Sequence, residues 1–117
     1  MSHFMVRWQF TGVSTKALVE KPQDSSGAAR ALMEGFGGKL LSYYFSFGEY
    51  DGVAISEFPD TTAAAACSLA ATATGAFSRF ETTMLLTATE AEAAMKHAHD
   101  TKTEYKPPNV SHIDNLP

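Results

Sequence analysis

Gly48-Glu49-Tyr50-Asp51-Gly52 lies between two runs rich in aromatic and branched residues, Lys39 to Phe47 before it and Gly52 to Phe58 after it. Such runs favour strands, and a short glycine-bearing break between them makes a hairpin of strands two and three. Before it, His3 to Thr11 alternates, with Phe4, Val6, Trp8 and Phe10 on one side and Met5, Arg7 and Gln9 on the other. This period of two marks a half-buried first strand. After it, Phe77 to Thr87 alternates again, Phe80, Thr82, Met84 and Leu86 against Arg79, Glu81, Thr83 and Leu85, giving a fourth strand.

Helical patterns fill the gaps. Ser14 to Glu20 can form a short helical piece, which Pro22 must end. Asp24 or Ser25 can then cap a helix carrying Ala28, Ala29, Leu32, Met33 and Phe36 on one face. Gly37-Gly38 closes that helix, because glycine reaches the left-handed conformation without a Cβ penalty. Pro59-Asp60 opens a second helix, Thr61 to Thr74, whose alanines favour helix and allow close approach to what it covers. Thr89-x-x-Glu92 has capping-box spacing, which predicts a last helix over Glu90 to His97. Residues 1–100 are thus expected to form one domain, and 101–117, with Pro107-Pro108, an extended or disordered tail that can also dock on a partner subunit.

Strand, helix, strand, strand, helix, strand is the order of the ferredoxin-like βαββαβ arrangement, an α+β fold whose two helices cover one face of a four-stranded antiparallel sheet, here with an extra C-terminal helix. The other face carries His3, Met5, Arg7 and Gln9 with Arg79, Glu81, Thr83 and Leu85. That mixture is too apolar for ordinary surface. Two such faces meeting would form a dimeric α/β barrel with a pocket inside, so a homodimer is expected. Alternation in strand two buries Leu41, Tyr43, Phe45 and Phe47 and leaves Ser42, Tyr44 and Ser46 open. The hairpin register stays ambiguous: a tight turn with Phe47 opposite Gly52 puts Val53 and Ile55 on the face of Tyr44, and a bulged turn reverses this.

With 117 residues, 44% hydrophobic and 19% charged, the chain can bury one globular core. A net charge of −4 with no basic run gives no footprint for nucleic acid or an anionic membrane. No stretch reaches the roughly 18 apolar residues of a span, and Met1-Ser2-His3-Phe4 leads straight into a strand, so a cytoplasmic location is expected. Cys67 is the only cysteine. It has no nearby cation to lower its pKa and reads as a packed thiol.

Taken together, Gly37-Gly38-Lys39, Ser42-Tyr43-Tyr44-Phe45, Phe47-Gly48-Glu49-Tyr50-Asp51 and Glu57-x-Pro59-Asp60 resemble the GYD-domain family of small bacterial and archaeal proteins. The resemblance spans about residues 4 to 96, and the motif falls on Gly48, Tyr50 and Asp51. It implies a ferredoxin-like chain of the dimeric α/β-barrel group, in a family whose biochemical role is largely uncharacterised. The alanine-rich second helix and the tail after Asp100 depart from the family pattern.

Tyr50 and Asp51 at a pocket mouth can move a proton. Equally, Gly48 can supply the turn, Asp51 bond backbone N–H groups, and Tyr50 pack its ring. Arg7 and Arg79 can hold an anionic ligand with Glu81 as base, or the three can form a salt bridge. His97-x-His99 resembles a metal fragment, but residues two apart lie on different sides of a helix, so no metal site is expected. His3 falls on the open face and His112 in the tail. Gly35-x-Gly37-Gly38 follows a helix instead of opening one, and no phosphate loop, nucleophile elbow or dinucleotide fingerprint occurs, so no cofactor is expected. The residues point to a homodimeric module binding a small anionic or aromatic molecule. The alternatives are a cofactor-independent oxygenase or isomerase using Glu81, Tyr44 or Tyr50, and a purely structural or regulatory assembly unit.

Overall fold

In strand β1 (Ser2–Phe10), Phe4, Val6 and Trp8 are buried and the residues between them half-exposed, as alternation requires. The structure is a computed structural model that describes residues 1–108. β1 lies inside the sheet. On one side β3 (Gly52–Phe58) pairs antiparallel with it, Trp8 opposite Gly52. On the other, β4 (Phe77–Leu85) pairs antiparallel, Arg7 opposite Glu81. β2 (Lys39–Phe45) extends the sheet beyond β3, giving the order β2-β3-β1-β4. This is the ferredoxin-like fold expected from the sequence.

Helix α1 (Gly12–Glu20) begins two residues earlier than expected because Thr11 Oγ1 accepts the Ser14 N–H at 3.3 Å and caps it. α2 (Ser26–Gly35) is opened by Asp24, whose carboxylate accepts the Ser26 N–H at 2.9 Å. The Gly37-Gly38 stop forms as expected: Gly37 adopts φ +76° and the Gly38 N–H returns to the Met33 carbonyl. α3 (Thr61–Thr72) is capped by Asp60, which accepts the Ala63 N–H at 2.8 Å. Met33 of α2 and Ala64 and Cys67 of α3 bury against Phe4, Val6, Trp8, Leu40 and Phe58, so the core lies on one face of the sheet.

The hairpin corrects the strand-two reading. Gly52 stands opposite Phe45, Val53 opposite Tyr44 and Ile55 opposite Ser42, so Val53, Ile55 and Tyr44 share the open face. A register shift between Leu40 and Ser42 sends Leu40 into the core and leaves Leu41 43% exposed, opposite to the alternation-based expectation. Strand two ends at Phe45, not Phe47. Phe45 is only partly covered, and Phe47 is 84% exposed at φ +49°.

The chain separates into two compact units, Met1–Leu86 and a second beginning at Thr87. In the second, α4 (Ala88–Asp100) carries a capping box, but it is Thr87 with Glu90 rather than Thr89 with Glu92. The Thr87 hydroxyl accepts the Glu90 N–H at 3.1 Å and the Glu90 carboxylate accepts the Thr87 N–H at 3.0 Å. Both Thr-x-x-Glu frames are present in the sequence, and the upstream one is used because β4 has already ended at Leu85. Residues 101–108 form no helix or strand. The rest of the expected tail, 109–117 with His112, lies outside the described residues.

Candidate functional site

Between α2, α3 and the sheet is a cavity of about 190 Å³. Its origin is a mismatch of side-chain size. Small residues of α3, Ala64, Cys67, Ser68 and Ala71, face the rings of Trp8, Phe58 and Phe80 across a gap that Ala28 and Ala29 of α2 do not fill. On its β4 side α3 does approach closely, as expected of an alanine-rich helix. None of the lining residues is charged.

The polar groups on the wall are mostly engaged. Ser25 Oγ and the Tyr43 hydroxyl share a hydrogen bond of 2.7 Å; Ser25 is free for this because Asp24 takes the opening N–H of α2. Ser68 Oγ and Thr82 Oγ1 share one of 2.6 Å, and the Ser68 hydroxyl also reaches the Ala64 carbonyl at 3.1 Å. Burial raises the pKa of the Tyr43 phenol, and burial likewise raises that of the Cys67 thiol. Cys67 is thus the packed, neutral thiol the sequence implied, a poor nucleophile.

Arg7, Arg79, Glu81 and Tyr50 meet on the opposite face of the sheet. The Arg7 guanidinium donates to Glu81 Oε2 at 2.9 Å, and Arg79 donates to Glu81 Oε1 at 3.4 Å, to Glu49 at 3.2 Å and to the Tyr50 hydroxyl at 2.9 Å. Arg7 Cζ and Arg79 Cζ sit 4.4 and 4.8 Å from the centre of the Tyr50 ring, within cation–π range. The Tyr50 hydroxyl donates to Glu81, which holds that carboxyl below its usual range and raises the phenol. A carboxylate stabilised in this way is a weak base. The cluster fastens the hairpin loop to β4 and β1. His3 pairs with Glu57 at 3.2 Å on the same face. Tyr44 is 66% exposed, opposite Val53.

Asp51 and Gly52 complete the loop's attachment. At the bulge between Gln9 and Phe10, the Asp51 carboxylate accepts the Phe10 N–H at 2.8 Å, while the Asp51 N–H donates to the Trp8 carbonyl at 2.8 Å. Gly52 lies under the Trp8 indole, where a Cβ would collide with the ring. Gly48 stands in the bend at residues 48–51 and donates its N–H to the Tyr50 carbonyl at 3.1 Å, without a positive φ of its own. The left-handed residue is Phe47, and a Cβ at Gly48 would meet only the Ser46 carbonyl, at 3.9 Å. His97 and His99 lie within α4, which continues to Asp100, and His99 contacts Asp100.

Sheet order, helix placement and this loop define a ferredoxin-like α+β protein whose hairpin is clamped by a tyrosine and an aspartate. The family model for the GYD domain matches residues 4–95. The chain belongs to the GYD-domain family. A comparison with curated proteins finds no match. Among the described residues, no helix is long and apolar enough to cross a membrane.

The cavity's wall was not read from the sequence. The available signal was the spacing of Ala64, Cys67 and Ala71 on one helical face, too small a set to fill the space opposite Trp8 and Phe80.

Proposed function

We propose that this protein is a small-molecule-binding module whose ligand occupies the cavity between the helices and the sheet. The observation that carries this reading is the uncharged lining around a volume of about 190 Å³. The site is partly open at its mouth, so a guest enters from solvent and gains by covering apolar lining. With no counter-ion on the wall, desolvating a charged group is unfavourable, so the ligand is neutral and largely apolar. A single aromatic ring is the right size, since a cavity of about 150 Å³ accepts benzene.

Two chains pair, on this reading, through the open faces of their sheets. Met5, Val53 and Ile55 are half-exposed there beside exposed Tyr44, the Arg7–Glu81 pair neutralises charge around them, and His3 contacts Glu57. The expected anionic ligand held by Arg7 and Arg79 is less favoured, because both guanidiniums are already bonded to Glu81. The test is a titration with toluene followed by methyl NMR. Saturable shifts at Ala64, Ala71 and Met33 are expected; methyl signals unmoved up to the solubility limit of toluene contradict the reading.

A further inference from the structure

Between α1 and the hairpin loop lies a groove open to solvent, of about 470 Å³, within the usual range of small-ligand sites, about 300–1,000 Å³. α1 supplies Leu18 and Val19; the strand ends and the loop supply Phe10, Phe45 and Phe47. The three rings form a chain of edge-to-face contacts, Phe10 to Phe45 at 6.2 Å and Phe45 to Phe47 at 5.8 Å between centres. Phe47 is held in this chain at φ +49°, a left-handed conformation that bulky residues rarely adopt, and is 84% exposed. Backbone strain of this kind concentrates at ligand sites. Asp51 is the one charged residue among the described residues that line the groove. Backbone bonds fix it among the rings. The N–H of Ser46, which stands between Phe45 and Phe47, donates to the Asp51 carbonyl at 3.0 Å, and Asp51 Oδ2 accepts the Phe10 N–H at 2.8 Å. An ionised carboxylate has about four acceptor sites, so this bond leaves capacity for a positive group from outside. Arg7 and Arg79 do not supply that group, since Glu81 and Glu49 hold them on the other face of the sheet.

We propose that this groove binds a small alkylammonium ion, its charge set between the Asp51 carboxylate and the rings of Phe10, Phe45 and Phe47, its carbons against Leu18 and Val19. Aromatic faces attract a cation, and the carboxylate adds a full opposite charge beside them. An anion would be repelled by Asp51, and a neutral apolar guest would desolvate the carboxylate without a partner. The groove shares only Phe10 with the cavity between the helices and the sheet, so this site stands or falls apart from the proposed function.

Choline and its uncharged isostere, with carbon in place of the nitrogen, have nearly the same shape and differ in charge. Titrating each into methyl-labelled protein, with Leu18 and Val19 reporting the groove and Ala71 the cavity, tests the assignment. We expect choline to shift Leu18 and Val19 saturably and to bind more tightly there than the isostere. Asp51→Asn keeps an acceptor for the Phe10 N–H and removes the charge, so it should abolish choline's advantage over the isostere. Phe47→Ala should weaken choline by roughly two- to fivefold, the ratio one exposed cation–π contact gives. Equal binding of the two probes by the wild-type protein would show that the groove does not read charge and would overturn the proposal. Leu18 and Val19 unmoved by choline through the millimolar range would overturn it as well, whatever toluene does at Ala71. The wild-type comparison and Phe47→Ala decide the matter even if the Asp51→Asn chain folds poorly.

Discussion

Gly52 and Gly48 flank the same short motif but carry different physical burdens. Gly52 is buried beneath the Trp8 indole, whereas Gly48 is exposed with open space around it. Gly52→Ala should therefore cost about 1–3 kcal/mol through forced displacement of a core ring, and Gly48→Ala should stay within about 0.5 kcal/mol; urea unfolding of the two variants measures both. Equal losses would mean that the loop, not the ring seat, sets the requirement. Tyr50 gives a pH prediction. The Glu81 carboxyl, held below its ordinary value chiefly by the Tyr50 hydroxyl, contributes stability above about pH 4 that disappears as pH falls through its lowered value. The Tyr50 phenol, raised chiefly by Glu81, contributes below about pH 10 and loses that contribution as pH rises through its raised value. Tyr50→Phe should thus lower the urea midpoint at neutral pH, and its difference from wild type should shrink in acid and in strong alkali. Part of the alkaline slope survives in the variant because burial also raises Tyr43. A difference independent of pH would assign the effect to ring packing alone.

The elements were largely legible because each carries its own local signal. β1 alternates without interruption, Pro59-Asp60 marks the start of α3, and Gly37-Gly38 marks the end of α2. What was not legible arises between elements. The bulge at Leu41 depends on how β2 meets β3, and no residue in Leu40-Leu41-Ser42 announces which leucine turns inward. The choice of Thr87 over Thr89 depends on where β4 ends. The Arg7, Arg79 and Glu81 trio was legible because parity places all three on one face of adjoining strands; that Tyr50 joins them required the path of the loop. The cavity belongs to this second kind, since its walls come from the sheet, α2 and α3 together. It yields a prediction about that helix: Ala71→Leu places methylenes into existing space, so it should abolish toluene binding and leave the thermal midpoint unchanged or raised, as read by methyl NMR and calorimetry. A large fall in midpoint would show that the space is not available at that position.

In the whole molecule one sheet has two proposed uses, a ligand on the helix side and a second chain on the other. The proposed homodimer predicts a solution mass twice the 12.6 kDa of the chain by light scattering. Ile55→Glu, which puts a carboxylate at the middle of the open face, should give a folded monomer that still binds toluene. A wild-type monomer would remove the pairing but leave the cavity untouched, because its walls come from a single chain. On the helix side, the proposed function requires that this cavity accept a small apolar guest. Xenon is an apolar probe that needs no particular chemistry and binds in dry cavities of similar volume. In a crystal structure of the protein under xenon pressure, a xenon site is expected between Trp8, Phe80 and Ala71; xenon bound elsewhere but absent from that space would mean that the cavity takes no apolar guest.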